Sequence, residues 1–423
     1  MSSLSTSSTI FPATISRLWR DRALWTAIAD VFAVLTALAF PWSTSLVAIF
    51  VLCWLAAVAW VMDYPAFLRS LKRPACYLPL AFFALAAIGM VWSEVSWAER
   101  LRGLVPLAKF LALPGLFYHF ERSRRGALVL AAFVASCALL SVFSWINALE
   151  PAFTLKPRDG EVCGIFVKNY IDQSQEFALC AVALAYPVVT LFQRGARWQA
   201  AGVAVIAIGF VLNLSFVVAA RTALFTLPVL FTALAWLCLG WRKAVLVALA
   251  AAALSFAMVQ SPRMCPTFDT FGDYARYKDA NAPTSTGLRL EFWKKSIGFF
   301  AEAPVIGHGT GSIRHLFEQA SIGKTGAAGE VINNPHNQTL NVAVQWGMLG
   351  IALLYAMWLV HLWMFRTPDL MAALGLLVVV QNMATSLFNS HLFDVHEGWM
   401  YVLGVGIAGG ALLRRRQAAN ATS

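Results

Sequence analysis

Residues 199–240, QAAGVAVIAIGFVLNLSFVVAARTALFTLPVLFTALAWLCLG, decide the fold, because they form one apolar run in which Arg221 is the single charged residue. A helix of this length would reach about 63 Å at 1.5 Å per residue, roughly twice the ~30 Å of hydrocarbon in a bilayer. We therefore predict that the run folds back and crosses a membrane twice, with its turn near Arg221.

The rest of the chain has the same character, since 59% of its 423 residues are apolar and 13% are charged. A soluble domain has about 25% charged residues, and the alternating strands of an outer-membrane barrel never give apolar runs this long. We predict an all-α polytopic membrane protein with about 12 transmembrane helices, each near the ~20 residues that span a bilayer. The predicted spans are 23–40, 44–62, 76–92, 103–118, 126–148, 171–192, 199–217, 222–240, 244–260, 339–363, 370–388 and 398–413.

Basic residues set the orientation, because Lys and Arg accumulate in short cytoplasmic connections. With the N-terminus inside, every second connection is positive, and these connections hold 17 of the 32 Lys and Arg residues. They are Arg17, Arg20, Arg22, Arg69, Lys72, Arg73, Arg122, Arg124, Arg125, Arg194, Arg197, Arg242, Lys243, Arg366, Arg414, Arg415 and Arg416. We predict that both termini are cytoplasmic. The formal charge of +11 is then mainly a topology signal, and binding of nucleic acid is not expected.

The polar part of the chain lies in two long outer loops, 149–170 and 261–338. We therefore divide the chain into nine transmembrane helices over 1–260, a large outer loop with amphipathic helices and a catalytic segment over 261–338, and three helices with a basic tail over 339–423. Cys163 and Cys265 lie in these two loops and are a candidate disulfide pair in an oxidising compartment.

Arg289 stands in the apolar face of a predicted amphipathic helix, Thr286–Glu302. The apolar face contains Leu288, Leu290, Phe292, Trp293, Ile297, Phe299 and Phe300, and the opposite face contains Glu291, Lys294, Lys295 and Gly298. A charge in an apolar face is costly without a partner, so Arg289 is either a snorkelling or ion-paired residue or a ligand for an anion.

Arg221 raises the same alternatives at the tip of the apolar hairpin, where an interfacial anchor is the simpler role. Guanidinium groups bind phosphate oxygens in a bidentate manner. Two out-of-place arginines on one side of the membrane therefore suggest a site for a diphosphate. Arg102 and Lys109, in the irregular fourth span, are further candidates for this positive pocket.

His336 precedes the tenth predicted span, in the segment NNPHNQTLNVAVQWGMLG at 333–350. Pro335 suits the start of a helix, and Asn333 or Asn334 is expected to cap it. A helix N-terminus near arginines disfavours a protonated imidazole. His336 is therefore expected to be neutral near pH 7 and to act as a general base; the alternative is a histidine that only anchors the span.

Two polar motifs are assigned no chemistry. The glycine-rich PVIGHGTGS at 304–312 lacks the preceding strand and the Lys-Ser/Thr ending of a nucleotide-binding loop, so a turn with close backbone approach is predicted. In the last outer loop, His391, Asp394, His396 and Glu397 fit no metal template and are expected to form hydrogen bonds around a pocket mouth. We predict no metal and no cofactor.

Four blocks of the sequence, in order, resemble those of the O-antigen ligase and polymerase superfamily. They are GIFVKN at 164–169, the arginine of AARTA at 221, RLEFWKKSIGFFAEAPVIGHGTG at 289–311 and PHNQTLNVAVQWGMLGIALL at 335–354. The chain departs from the pattern at Gln345-Trp346, where an acidic residue often precedes the glycine, and at His308, which stands between the glycines.

The resemblance implies a metal-independent, membrane-embedded glycosyltransferase of the C type (GT-C). Such a ligase transfers polysaccharide from undecaprenyl diphosphate to a sugar hydroxyl of lipid A-core, with inversion, at the periplasmic face of the bacterial inner membrane. Carried onto this chain, His336 is the base, and Arg221 and Arg289 bind the diphosphate. Asn169, Asn337 and His391 are candidate pocket residues.

Other activities compete with this interpretation. A polysaccharide polymerase uses the same donor, and protein O-oligosaccharyltransferases resemble these ligases but usually carry an extra C-terminal region, so the compact 423 residues favour a ligase. A transporter of lipid-linked saccharides is the alternative from another class. Transporters usually bind near the midplane, between broken helices of two repeated halves, and one irregular span with a single large outer loop does not fit that pattern.

Overall fold

A computed structural model describes residues 21–155, 164–218, 221–259, 274, 276–278 and 284–422, and this part of the chain forms helices and no strands. The helices are α1 Arg22–Ala39, α2 Thr44–Val61, α3 Tyr64–Ser70, α4 Pro74–Ile88, α5 Trp97–Leu104, α6 Leu113–Phe120, α7 Gly126–Leu149, α8 Tyr170–Ala183, α9 Ala185–Gln193, α10 Arg197–Phe216, α11 Arg221–Leu239, α12 Trp241–Val259, α13 Ser285–Glu302, α14 Ile313–Ser321, α15 Gln338–Met364, α16 Leu370–Thr385 and α17 Val395–Thr422. Short 3₁₀ segments span Val105–Ala112 and Gly326–Gly329. The predicted pair Cys163–Cys265 lies outside the described residues.

The fold agrees with the prediction of an all-α polytopic membrane protein. Among the described residues, eight helices are long and apolar enough to cross a membrane, or nine if α3 and α4, which meet at 84°, form one bent span. The apolar run 199–240 is split into α10 and α11, as predicted. Four of the twelve predicted spans do not meet this criterion. Helix α4 has 15 residues and α16 has 16, fewer than the ~20 of a full crossing, and the predicted spans 244–260 and 398–413, in α12 and α17, are not among the eight.

The connections of the bundle collect at two ends. At one end, Glu121 accepts hydrogen bonds from Arg73 and from Gln417, and Arg415 pairs with Asp369. At the other end, which we call the His336 end, the segments 89–96, 164–169, 303–337 and 386–394 come together. The predicted basic connections around Arg73 and Arg415 thus lie away from His336.

The fourth predicted span is irregular, as its two prolines indicate. It runs from Trp97 to Phe120 as α5, the 3₁₀ segment and α6. Pro106 opens the 3₁₀ segment and Pro114 opens α6. Proline has no backbone N–H to donate, and it is tolerated at the first positions of a helix.

A break in α15 holds the large loop against the bundle. Gly347 interrupts the helix with φ +57° and ψ −150°, and the glycine-rich turn 304–312 fills the break. The N–H groups of His308 and Gly309 donate to the carbonyls of Val344 and Gln345, and the N–H of Met348 donates to Pro304. The turn therefore satisfies backbone groups that the break removes from the helix, as burial away from water requires.

Three glycines of this turn, Gly307, Gly309 and Gly311, have positive φ angles of 66°, 87° and 84°. A Cβ on Gly307 would lie 2.4 Å from the backbone carbon of Gln345. The prediction of a turn with close backbone approach is thus confirmed.

The amphipathic helix α13 begins and ends within one residue of its predicted bounds, and its buried face follows the predicted apolar face in part: Phe292 and Phe299 are 4% and 8% exposed. Ile297 is 57% exposed, whereas Glu291 and Lys295 are 8% exposed. Lys295 Nζ donates to Ser321 Oγ at 2.9 Å and to the carbonyl of Ala328 at 2.6 Å. Hydrogen bonds from the rest of the loop therefore compensate the cost of burying charge.

Candidate active site

His336 lies in the segment that enters α15 and has φ +54°, the one positive φ among the described non-glycine residues. The left-handed region is unfavourable for L-residues, although His, Asn and Asp visit it more often than others. The N–H of His336 donates to Asn334 Oδ1 at 2.9 Å, which fixes this backbone. Strained backbone of this kind clusters at functional sites.

The helix cap differs from the prediction. Asn337, not Asn333 or Asn334, is the N-cap of α15: its Oδ1 accepts from the N–H of Leu340 at 3.0 Å, and its Nδ2 donates to the carbonyl of Leu387. The candidate pocket residue Asn337 is therefore engaged in capping. Pro335 precedes the helix instead of starting it, because the left-handed turn at His336 comes between them.

Asn389 determines which nitrogen of His336 carries a proton. Its Oδ1 lies 3.0 Å from His336 Nδ1, and its Nδ2 donates to the Asp394 carboxylate at 2.9 Å. Since a carboxylate accepts hydrogen bonds, this contact fixes the orientation of the amide. Nδ1 of a neutral His336 must then donate, and Nε2 keeps its lone pair. The imidazole is held as a base.

Helix α13 supplies the next contact. The ring of Phe292 stacks on that of His336, with centroids 6.1 Å apart and an interplanar angle of 26°. Arg289 precedes Phe292 by three residues and therefore lies on the same face of α13; it is half-buried. The pKa of His336 is lowered from 6.5, mainly by burial and further by the positive charge of Arg289, against the effect of the Asn389 hydrogen bond. The imidazole is consequently neutral at pH 7.

The depressed pKa gives a pH prediction. For a reaction in which His336 is the base, we expect kcat/KM to be constant near neutral pH and to fall only below pH 6.5, as His336 gains a proton. Because Asp394 also titrates in this region, with its pKa raised to about 6 by burial, the control is Asp394→Asn. Its acid limb should persist if His336 is the titrating group. A profile that loses its acid limb in this variant would assign the limb to Asp394.

The lowered pKa of His336 also affects the stability of the fold. The unfolded chain binds a proton at His336 near pH 6.5, above the pKa in the folded state. Protonation therefore favours unfolding, and this contribution destabilises the fold as pH falls below about 6.5.

An apolar groove of about 410 Å³ begins close to the base. It runs between α11, α15 and α16 and is lined by Phe225, Thr339, Trp358 and Met383, among others. Thr339 lies three residues after His336. Arg221 is the first residue of α11, one turn before Phe225; its side chain lies outside the described residues. The groove thus joins the start of α11 to the start of α15.

Lys109, a predicted cation of the pocket, is bonded to the last outer loop. It is 6% exposed, and its Nζ donates to the carbonyls of Leu392, Phe393 and Asp394 at 3.2, 3.3 and 2.5 Å. The ammonium group therefore holds the last outer loop in place.

We expect Lys109→Met to destabilise the protein by about 1–3 kcal/mol, because it leaves buried carbonyl groups without donors. The Michaelis constants for the substrates should not change. Thermal stability in detergent and steady-state kinetics measure the two effects. A raised Michaelis constant with unaltered stability would assign Lys109 to substrate binding.

Asn169 and His391 also have defined surroundings. Asn169 is the N-cap of α8 and accepts from the N–H groups of Ile171 and Asp172. His391 is 1% exposed, and within the described part of the chain its Nδ1 has no hydrogen-bond partner. Burial, His336, His396 and Arg289 all lower its pKa, to about 3, so it is neutral. Its electrostatic coupling to His336 and Arg289 places it beside the site.

A second, polar cleft of about 320 Å³ is lined by Asn334, whose Oδ1 accepts from the N–H of His336. Arg102 at the end of α5 and Arg314 at the start of α14 line it from one side, and Asn333, Asn341 and Phe393 line it as well. Arg102 thus lines a polar cleft at the His336 end.

Sequence reasoning did not single out Asn389 and Ser390. Ser390 Oγ donates to Asn334 Oδ1 at 2.7 Å, and Asn334 Nδ2 donates to Asn389 Oδ1 at 2.9 Å. The one signal for these residues was the concentration of polar side chains in FNSHLFDVHE at 388–397. Their relation to His336 depends on how the last outer loop folds back.

Comparison with known families matches residues 208–355 to a family model described as O-antigen ligase. The match covers α11 to α14 and most of α15, and it includes both Arg289 and His336. No curated protein matches the chain.

Proposed function

We propose that the chain transfers polysaccharide from undecaprenyl diphosphate to a sugar hydroxyl of lipid A-core, because residues 208–355 match a family model described as O-antigen ligase. One observation carries this proposal. The hydrogen bond from His336 Nδ1 to Asn389 leaves Nε2 as a proton acceptor, on a ring that the charge of Arg289 affects and three residues before Thr339, which lines an apolar groove. A base, an anion ligand and a lipid site are what the reaction needs.

The donor lipid occupies the apolar groove. Its walls are almost entirely apolar, and it lies between helices where a polyprenyl chain is shielded from water. The diphosphate then lies at the head of the groove, where α11 begins with Arg221 and α13 brings Arg289 next to His336. Two guanidinium groups neutralise the charge that develops on the leaving diphosphate.

The reaction is a single displacement. The acceptor hydroxyl attacks the anomeric carbon, and His336 Nε2 takes its proton. The bond between that carbon and the diphosphate oxygen breaks, and the diphosphate leaves with the electron pair. Attack opposite the leaving group inverts the anomeric centre. The donor is already activated, so ATP does not take part, and the proposal assigns neutralisation of the leaving diphosphate to the two arginines instead of a metal ion.

The site faces the periplasm in this proposal, and both termini are cytoplasmic. Basic residues support it, since Arg73 and Arg415 lie at the end of the bundle away from His336. The membrane is then the bacterial inner membrane, where donor and acceptor both have lipid anchors. Twelve spans and the GT-C class belong to the same proposal.

Arg289→Gln tests the diphosphate site. We expect the donor KM to rise about 10- to 100-fold, the effect of one lost charge-assisted hydrogen bond. Lys294→Gln is the matched control, because Lys294 is an exposed cation on the same helix. Titration of donor at saturating acceptor measures the donor KM of both variants. An unchanged donor KM in the Arg289 variant would remove this residue from the binding site.

The experiment that tests the function itself uses the purified full chain, donor and lipid A-core, with EDTA and without ATP. Transfer to lipid A-core, followed on a gel, supports a ligase. Longer lipid-linked chains without transfer to the core identify a polymerase, and glycosylated acceptor protein identifies an oligosaccharyltransferase. Movement of the donor across the bilayer without any new linkage would overturn the proposal in favour of transport.

A further inference from the structure

We propose that the polar cleft between α5, the glycine-rich turn and the start of α14 binds the acceptor saccharide. In this subsite Arg102 and Arg314 contact a negatively charged substituent, a phosphate or a carboxylate, on the acceptor. The inference rests on the proposed function and adds the place and the chemical class of the second substrate.

The lining of the cleft suits a sugar. The exposed side-chain amide of Asn333 offers both a donor and an acceptor, which is what hydroxyl groups require. Phe393 adds an apolar surface for the C–H face of a ring. The volume of about 320 Å³ falls in the range of small-molecule clefts, about 300–1,000 Å³. The apolar groove, by contrast, suits a hydrocarbon chain.

The inner wall of the cleft is connected to the base by hydrogen bonds. Gln345 Nε2 donates to Asn341 Oδ1 at 2.7 Å, and Asn341 Nδ2 donates to Ser390 Oγ at 3.0 Å. Ser390 in turn donates to Asn334, which donates to the Asn389 amide that holds His336. A saccharide against this wall lies next to the base, and the wall is rigid because each amide is bonded at both sides.

The cleft is lined by two arginines, Arg102 and Arg314, and by two carboxylates, Glu99 and Asp394. The Glu99 carboxylate accepts from the N–H and hydroxyl of Ser96, and the Asp394 carboxylate accepts from Asn389. Both carboxylates are thus held by donors of the protein, and the guanidinium groups are the cationic donors of the lining. Arg102 and Arg314 are exposed at the rim, and Arg314 contacts Glu318 through Nε. This contact leaves the paired terminal nitrogens as the side of the guanidinium that matches a phosphate or carboxylate.

The backbone around the cleft is closely fitted. Gly311 donates its N–H to Gln345 Oε1 at 2.8 Å, and a Cβ on Gly103 would lie 2.6 Å from the nitrogen of Gly311. The turn therefore fixes α5 against α15. Arg102 is next to Gly103, and Arg314 is three residues after Gly311, so both arginines follow from backbone that this contact fixes.

The test measures which substrate each variant affects. For Arg102→Gln and Arg314→Gln we expect the acceptor KM to rise about 10-fold or more, with donor KM and kcat at saturating acceptor unchanged. Lys324→Gln is the control, an exposed cation outside the cleft lining. Dephosphorylated and carboxyl-reduced lipid A-core distinguish the two anions: the form that lacks the recognised group should show the same KM with wild type and variants. A raised donor KM, or an acceptor KM equal to that of the control, would overturn the inference.

Direct binding separates this inference from the proposed function. Detergent-solubilised lipid A-core is titrated without donor against wild type and the Arg102 and Arg314 variants. Binding that weakens in the variants supports the cleft even if the wild type transfers nothing, in which case the proposed function fails alone. Transfer by the wild type, combined with equal binding by all proteins, would reject the cleft and leave the function standing.

Discussion

Replacing His336 with asparagine is expected to lower the rate of sugar transfer about 10²- to 10⁴-fold, the usual contribution of a general base. Asparagine tolerates the left-handed backbone better than alanine does. Since His336 has φ +54°, the variant tests chemistry without adding strain. Donor and acceptor binding should stay near wild type, because the Arg289 and cleft residues are unaltered.

A second variant controls for the position of the ring. Asn389→Ala removes the acceptor for Nδ1 and leaves His336 free to rotate and to change tautomer. We expect a smaller loss of kcat than in His336→Asn, with KM values unchanged. Single-turnover transfer at saturating substrates measures both variants. Full activity of His336→Asn would refute the role of His336 as the base.

Replacing Gly347 with alanine is expected to destabilise the protein by about 3 kcal/mol or more, through backbone strain and overlap. At φ +57° and ψ −150° the backbone is essentially restricted to glycine, and the added Cβ would lie 2.4 Å from the carbon of Val305. The turn 304–312 would have to separate from α15, and the polar cleft would then lose the support of this turn.

The matched control is Gly209→Ala in the spanning helix α10, where nothing lies within 4 Å of an added Cβ. This substitution is expected to be neutral or slightly stabilising, since alanine favours helix over glycine. The fraction of each protein that stays monodisperse in detergent after heating compares the two. Equal loss in both variants would show that the break at Gly347 does not hold the loop.

Apolar run length predicted most of the helices, because the bilayer sets a fixed thickness for every span. The split of 199–240 into α10 and α11 followed from length alone. Short or bent helices could not be predicted from run length. Neither α4 with 15 residues nor α16 with 16 reaches a full span, and their placement depends on neighbours that periodicity does not reveal.

Side-chain contacts between distant segments could not be predicted. The bounds of α13 followed from periodicity, but Lys295 is buried because Ser321 and Ala328 supply acceptors 26 and 33 residues away. Likewise, Asp30 in α1 lies 3.0 Å from His119 Nε2, across 89 residues of sequence. Such pairs offset the cost of burial only after the chain has folded.

For the candidate site, residue type and position identified His336 and Arg289, which the structure brings together through α13 and Phe292. The tautomer of His336 depends instead on Asn389 and Asp394, in a loop 53 residues further along. The left-handed backbone at His336 also had no sequence signal, since Pro335 suggested a helix start at that point.

The most direct measurement of the central claim is a single-turnover reaction of the purified full chain with lipid-diphosphate donor and lipid A-core in EDTA. Both the new linkage and the released lipid diphosphate are quantified. The account predicts one diphosphate released for each linkage formed, with the anomeric configuration inverted. Release of diphosphate without a linkage, or a product with retained configuration, would contradict it.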